Sequence, residues 1–322
     1  MYKILKAKKS DFLFVSNLLT ELYGWLSKFS KHTFDAKNEI SYEEYINNLN
    51  DFYVLKNESK LFGVMASKIR DIITKNKIQK RTFFIYALIV NEKFRNQNGG
   101  SALINHVLKI KEKEKIDNIR LRVLAKNKIA YNFYLKNGFV KKSEVLEYIN
   151  NNKNLKSLNN ANFKEYKVEL ANNVNFKEIK DLMKFRENRV IDTHRNILND
   201  CTNVIKKKEF NNYLKDNLIF VIKLKVKIVG VLGVNINFLN NMGFVKREEL
   251  NINFLLIDKN YNDNFDFEKN IIFSFFNHIK EIAKNKNIKI IKLAIYPNQK
   301  SIYNILKLQG FNKFSFDMEK CI

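Results

Sequence analysis

The chain has 322 residues, 45% of them hydrophobic, with 27 Phe and a single Pro, a length that suggests two domains of ordinary size, each able to bury its own core. No uninterrupted apolar stretch approaches the ~18 to 20 residues that span a bilayer, and the two cysteines, Cys201 and Cys321, have no second Cys or His at ligand spacing, which argues against a disulfide framework and a zinc site. A formal net charge of +25 would attract polyanions, but Lys, Asn and Ile abound throughout, as an AT-rich coding sequence produces whatever the function, so a nucleic-acid partner stays an alternative resting on charge alone.

Residues 2–7 alternate like a strand. Ser10-Asp11 then reads as a capping pair for a helix in which Phe12, Val15, Leu19, Leu22 and Leu26 recur at helical spacing. A second helix is expected near 42–49. Strands follow at 52–56, 61–69 and 82–90, rich in Phe, Ile, Val and Tyr, with Lys75-Asn76-Lys77 as a polar turn. After residue 99 a helix runs to about residue 115, with Lys109, Lys111, Lys113 and Lys115 alternating with Glu112 and Glu114 as a solvated face. A strand at 119–124, a short helix at about 128–136 and a strand opened by Phe139 complete the order β-α-α-β-β-β-α-β-α-β. Residues 150–162 are polar and without periodicity, as a linker would be.

The halves repeat one layout. Tyr2-Lys-Ile-Leu-Lys-Ala matches Tyr166-Lys-Val-Glu-Leu-Ala in pattern, Gly63 in Leu61-Phe-Gly-Val answers Gly230 in Ile228-Val-Gly-Val, and Gly138-Phe139 answers Gly310-Phe311. A repeat this long is a duplicated domain and not a solenoid. The expected division is 1–150, a linker at 151–163, and 164–322. Residues 163–170 could close the first domain or open the second, and the Tyr2/Tyr166 match favours the second.

The stretch Val90-Asn-Glu-Lys-Phe-Arg95-Asn-Gln-Asn-Gly-Gly100-Ser-Ala-Leu runs from a strand through a glycine turn into a helix. Gly99 and Gly100 allow close approach of a ligand to the backbone, the helix start presents unpaired N–H groups, and Arg95 adds a full charge, so a phosphate would bind here. A plain glycine turn is the other reading, equally supported by spacing alone.

This stretch resembles the coenzyme motif of the GNAT superfamily of acyl-CoA-dependent acetyltransferases, Arg/Gln-x-x-Gly-x-Gly/Ala, as Arg95-Asn96-Gln97-Asn98-Gly99-Gly100, with Ser101 next. Asn98 stands where the first Gly is expected, and Asn tolerates left-handed backbone angles. The family's second signature, Asn-x-x-Ala-x-x-Phe/Leu-Tyr followed by Gly-Phe, is similar to Asn127-Lys-Ile-Ala130-Tyr-Asn-Phe133-Tyr134-Leu-Lys-Asn-Gly138-Phe139. The resemblance covers about residues 2–149. It implies an α/β (α+β) fold of two tandem GNAT-like domains, each a mixed, mostly antiparallel sheet flanked by helices. It also implies acetyl-CoA as cosubstrate and an unidentified amine as acceptor. A bulge in the fourth strand near Leu88, Ile89 and Val90 would offer N–H groups to the thioester carbonyl. Tyr134 would protonate the departing thiolate, and Asn127 and Phe133 would line the pantetheine arm. Without its flanking motif Tyr134 would read as a core aromatic.

No base is assigned. Tyr86 and Glu92 lie on or just after the fourth strand, but strand and turn roles explain them equally. His32 and Asp35 fall in a region that borders the family's acceptor pocket, where a solvated role is the plainer reading; His106, His194 and His278 receive no chemistry. In the second copy Arg95, Asn98 and Gly100 map to Asn262, Phe265 and Phe267, flanked by Asp263, Asp266 and Glu268, while Tyr134 and Asn127 map to Leu306 and Gln299. Acidic side chains oppose a pyrophosphate and leucine carries no proton, so this copy is expected to keep the fold without the coenzyme. The expectation is a cytoplasmic N-acetyltransferase with no membrane partner, the N-terminus lacking the apolar run of a secretory signal; a non-catalytic acyl-CoA-binding or scaffold protein is the alternative.

Overall fold

The computed structural model describes residues 2–35, 37, 39–57, 60–73, 79–149, 166–184, 189–192, 210–211, 214–215, 218–239, 243–261, 264–296 and 299–322. The expected turn at 75–77, the linker at 151–163, His194, Cys201, Asn262 and Asp263 lie outside them.

The N-terminal half runs β1 (Lys3–Lys6), α1 (Phe12–Ser27), α2 (Tyr42–Asn47), β2 (Phe52–Asn57), β3 (Lys60–Ile73), β4 (Gln79–Val90), α3 (Gly99–Glu114), β5 (Asn118–Leu124), α4 (Lys128–Lys136) and β6 (Val140–Ile149), in the order read from the sequence. Val15, Leu18, Leu19 and Tyr23 form the buried stripe of α1. Ser10 does not cap this helix: residues 9–11 form a short 3-10 turn, and the Asp11 carboxylate instead accepts from the Lys8 N–H at 2.8 Å. The C-terminal half runs β7 (Val168–Leu170), α5 (Phe176–Lys184), β8 (Arg189–Asp192), β9 (Leu218–Leu224), β10 (Lys227–Leu239), β11 (Arg247–Ile257), α6 (Phe265–Asn285), β12 (Ile290–Ile295), α7 (Lys300–Leu308) and β13 (Asn312–Cys321).

All these strands join one mixed, mostly antiparallel sheet in the order β1-β2-β3-β4-β5-β13-β6-β12-β11-β10-β9-β7, with β8 added to β11. Among the described strands only β4–β5 and β11–β12 pair in parallel. The ladders of the two halves repeat each other: Gly63↔Val90 and Ile85↔Leu121 in the first correspond to Gly230↔Ile257 and Ile252↔Leu293 in the second. The register shift opposite Ala66/Ser67 recurs opposite Gly233/Val234.

What the sequence does not reveal is the exchange at the centre. The last strand of each half lies inside the sheet of the other: β13 separates β5 from β6, and β6 separates β12 from β13. Glu144 pairs with Phe316, a residue 172 positions later, and Phe316↔Val123 likewise mirrors Glu144↔Ile295 at that offset. The pairing is therefore that of a local twofold axis perpendicular to the sheet. Each half completes the other's core. Leu146 and Tyr148 of β6 pack with Phe276 and Phe311 beneath α6 and α7. Phe316 and Met318 of β13 pack with Leu103, Leu121 and Tyr134 beneath α3 and α4. Each such fully buried side chain stabilises by about 1.5–3 kcal/mol, so the halves are fastened by cores as well as by backbone ladders. The Glu319 carboxylate, buried, adds ion pairs to Arg120 at 2.6 Å and Lys142 at 3.2 Å. On the opposite face α1 and α2 pack over Val54, Val64, Ala87 and Ile89, and α5 over Ile219, Val231 and Phe254.

Candidate active site

Parallel strands β4 and β5 hydrogen-bond from Thr82↔Asn118 to Ile85↔Leu121 and then part. The Thr82 hydroxyl bonds the Asn118 side chain at 2.5 Å, tying the closed end. At the parting point β4 is bulged: Ala87 pairs with Ala66 and Ile85 with Ser67, leaving Tyr86 unmatched. The irregularity thus falls at Tyr86 and not at Leu88–Val90, which pair with β3 in unbroken register. A bulge adds local twist and bends the strand, which turns the end of β4 away from β5. Among the described residues no strand pairs with the β5-facing edge of Ala87, Leu88 and Ile89.

The open edge leads into the glycine turn. A 3-10 turn over Glu92–Phe94 follows β4, and Asn96 and Asn98 then take positive φ, 62° and 61°. Asn98 therefore fills the left-handed position that glycine occupies in the family motif, and its carbonyl accepts the first helical bond, from Ala102 N–H at 2.9 Å. The N–H groups of Gly99, Gly100 and Ser101 precede any intrahelical acceptor, and no described group accepts from them. Gly99 and Gly100 also pack tightly. A Cβ on Gly99 would meet Leu55 at 2.9 Å, and one on Gly100 would meet Phe133 at 3.0 Å and Leu88 at 3.8 Å. The glycines thus serve helix packing while leaving the backbone bare. The Gln97 carbonyl accepts from the Tyr2 hydroxyl.

Arg95 does not point freely at the helix start. Its Nε donates to the Val90 carbonyl at 3.0 Å and its other nitrogen pairs with Glu21 of α1 at 2.9 Å. Both side chains are partly exposed, at 45% and 41%, so the pair contributes little stability.

Helix α4 supplies the second group. The Asn127 side-chain oxygen caps it, accepting from Ala130 N–H at 3.0 Å, a role read from its motif only as a ligand contact; its NH2 group is left for other partners. Phe133 reaches Gly100. Tyr134 is buried between Phe133 and Phe139, with ring centroids 5.2 and 5.6 Å away. Burial pushes its phenol well above the ordinary value, which keeps the proton in place. The structure thus brings Leu88, Gly99, Gly100 and Phe133 together around the start of α3, with Tyr134 packed against Phe133.

Glu92 is exposed on the turn that follows β4. Tyr86, at the bulge, is exposed and stacks on Phe84 at 6.4 Å with Arg70 over its ring at 5.7 Å; burial of part of the ring raises its phenol, against the pull of Arg70. His106 packs against Tyr53 at 5.2 Å, and burial followed by Lys109 and Lys6 lowers its pKa, as for a neutral structural imidazole. Among the described residues no group of three or more His, Cys, Asp or Glu gathers to hold a metal, and no helix is long and apolar enough to cross a membrane.

The corresponding place in the C-terminal half is filled. Strands β11 and β12 part after Ile252↔Leu293, and β11 is bulged at Asn253. Here β8 lies on the free edge, pairing Asp192 with Phe254 and Ile191 with Leu255, and it also runs beside β12. The start of α6 is capped by the Asn264 side chain, which accepts from Phe267 N–H at 3.0 Å. Phe267 is buried and stacks on Tyr261 at 4.7 Å. Asp266 and Glu268 occupy the first turn, and Leu306 is fully buried where Tyr134 stands in the first half.

Residues 19–139 match the acetyltransferase (GNAT) family. Over the whole chain, the structure is similar to that of a GCN5-related N-acetyltransferase from Sphaerobacter thermophilus, at 9% identity and a TM-score of 0.53, covering 99% of this chain and 95% of that one. A GCN5-related N-acetyltransferase from Anabaena variabilis aligns at 16% identity and a TM-score of 0.47, over 99% of this chain and 72% of that one. The Saccharomyces cerevisiae N-myristoyltransferase aligns at 13% identity and a TM-score of 0.46, over 99% and 82%. No curated protein matches the sequence. The bulge, the parted parallel strands and the glycine turn all lie inside the segment that matches the acetyltransferase (GNAT) family.

Proposed function

We propose that the chain is an N-acetyltransferase that moves the acetyl group of acetyl-CoA to a primary amine, in the β4–β5 opening of the N-terminal half. The observation that supports this reading is the adjacency of a strand edge at Ala87–Ile89 and three N–H groups at Gly99, Gly100 and Ser101 that have no partner among the described residues. The edge suits the amide-bearing pantetheine arm; the helix start suits the pyrophosphate, with Arg95 exchanging Glu21 for it. Among Leu88 to Val90, the backbone N–H groups that point away from β3 are the candidates for the thioester oxygen. The amine nitrogen attacks the carbonyl carbon and the carbon–sulfur bond breaks, and the Tyr134 phenol, which burial keeps protonated, donates a hydrogen bond to the departing thiolate. The amine proton leaves to water or to a base that no residue is assigned as. The C-terminal half, read as a degenerate copy of the same domain, binds no coenzyme in this account.

The competing reading, an acyl-CoA-binding scaffold without catalysis, is favoured by the engagement of Arg95 with Glu21. Release of free thiol from acetyl-CoA, measured against a panel of primary amines of rising charge and size, separates the two. Turnover with any of them supports the enzyme; tight acetyl-CoA binding with no turnover across the panel supports the scaffold.

A further inference from the structure

The connection after the first helix carries a tripeptide of similar composition in each half, docked in two different places. Thr33-Phe34-Asp35 begins six residues after α1 ends at Ser27, and Val190-Ile191-Asp192 begins six residues after α5 ends at Lys184. Each is a β-branched residue, a large apolar residue and Asp, and the first two favour extended backbone. In the C-terminal half the tripeptide belongs to β8 and closes the β11–β12 opening. In the N-terminal half no described strand pairs with the matching edge of β4, and Thr33-Phe34-Asp35 is held by the other half. Phe34 forms a β-bridge with Phe244. Asp35 N–H donates to the Gly243 carbonyl at 2.9 Å, and Val245 N–H donates to the Thr33 carbonyl at 3.0 Å. The Phe244 ring lies 5.1 Å from Phe34 and 6.2 Å from Tyr23. Arg247 donates to the His32 carbonyl and to the Thr33 hydroxyl. The capturing segment needs its glycine: Gly243 has a φ of +75°, and a Cβ there would lie 2.3 Å from the Tyr23 ring.

We infer that Gly243–Arg247 is a positioning element that captures Thr33-Phe34-Asp35 by backbone pairing and so keeps the β4–β5 opening clear of the strand its own half would otherwise lay into it. The inference rests on the reading of that opening as the acyl-donor site. An extended tripeptide with unpaired N–H and C=O groups takes the nearest available strand edge. In the C-terminal half the nearest edge is that of β11, and the opening fills. In the N-terminal half the segment from across the molecule competes for the tripeptide and wins. Donor access in one half then depends on the other, although no residue of Gly243–Arg247 is assigned to the donor itself.

The test uses the full chain, as wild type, Gly243→Val and Gly243→Val/Asp35→Pro. Valine at 243 forces the segment off Tyr23 and releases the tripeptide; proline at 35 removes an N–H and makes the released tripeptide a poor strand. Two quantities are read: calorimetric affinity for acetyl-CoA, and hydrogen exchange of amides 86–90 without any ligand. A released strand that closes the opening in nine molecules of ten weakens apparent acetyl-CoA affinity about tenfold, slows exchange at 86–90, and is undone in both respects by the double variant. Unchanged affinity and exchange in Gly243→Val, or a loss that the double variant does not restore, overturns the proposal. Should Gly243→Val fail to fold, Phe244→Ala is the milder release and is judged in the same way. A wild-type chain that binds no acetyl-CoA sinks the donor reading, while exchange at 86–90 still decides the positioning claim.

Discussion

The openings between β4 and β5 and between β11 and β12 begin at the same register, beside the same bulge, and end differently. In the N-terminal half no described strand covers the edge, the helix start is formed by Gly99, Gly100 and Ser101, and a buried tyrosine packs against the Phe133 that reaches Gly100. In the C-terminal half the edge carries β8, the helix start carries Asn264, Phe267 and two acidic residues, and a leucine replaces the tyrosine. The scaffold is thus indifferent to the ligand. One set of ladders supports a vacant cleft and a self-filled one, and a few side chains with one short strand decide which.

Substitutions that move one half toward the other sharpen this comparison. The largest effect is expected for Ser101→Glu, which gives α3 the acidic first turn of α6. A carboxylate about 4 Å from a phosphate costs ~4 kcal/mol at surface-like screening, so acetyl-CoA affinity should fall on the order of a thousandfold in a calorimetric titration. The melting temperature should hold, because an acidic residue near a helix N-terminus is favourable. Next comes Tyr134→Phe, for which kcat should drop about a hundredfold with acetyl-CoA affinity unchanged; the reverse swap, Leu306→Tyr, should create no activity because β8 occupies the adjoining edge.

Smaller effects are expected at the seam, where two glutamates related by the 172-residue offset sit in opposite environments. Burial alone would raise the Glu319 carboxyl, but Arg120 and Lys142 hold it below the ordinary value. Its stabilising contribution is therefore complete above the unfolded pKa of about 4.3 and is lost as pH falls through the folded value. Glu319→Gln should cost about 2 kcal/mol at neutral pH in denaturant titrations, less than outright removal of a buried partner because Gln still accepts a hydrogen bond. The same variant should flatten the acid limb of the stability profile. At Glu147 burial and the neighbouring Glu249 outweigh Lys292, Arg247 and Lys126, and the carboxyl is raised; its Oε2 is buried without a partner. The ionised form is the costly one, and the cost is relieved as pH falls through the folded value. Glu147→Met should stabilise by about 1 kcal/mol at neutral pH. A destabilised Glu147→Met would mean that the two glutamates are alike after all.

The N-terminal layout was legible because its signals are local: the stripe of Val15, Leu19 and Leu22, the alternation in β2 to β4, and the glycine turn after residue 98. Asn98 was legible in part, since Asn tolerates the left-handed angle that it takes where the motif has Gly. The exchange of β6 and β13 was not. Both strands carry ordinary alternation, and nothing in Val140–Ile149 says that its neighbours come from residues 290–321. Neither was the filling of the second opening by β8, because strand addition depends on which edge is free in space. The Arg95–Glu21 pair, with 74 residues between its partners, leaves no mark in the motif, and the bulge at Tyr86 lies two residues before the place where the resemblance put it.

The most direct test of the difference between the halves is hydrogen exchange of the full chain with and without saturating acetyl-CoA, alongside the binding stoichiometry. One bound equivalent, with protection gained across residues 86–101 and none across 253–268, is the predicted result. Two equivalents, or protection confined to the C-terminal opening, would contradict it.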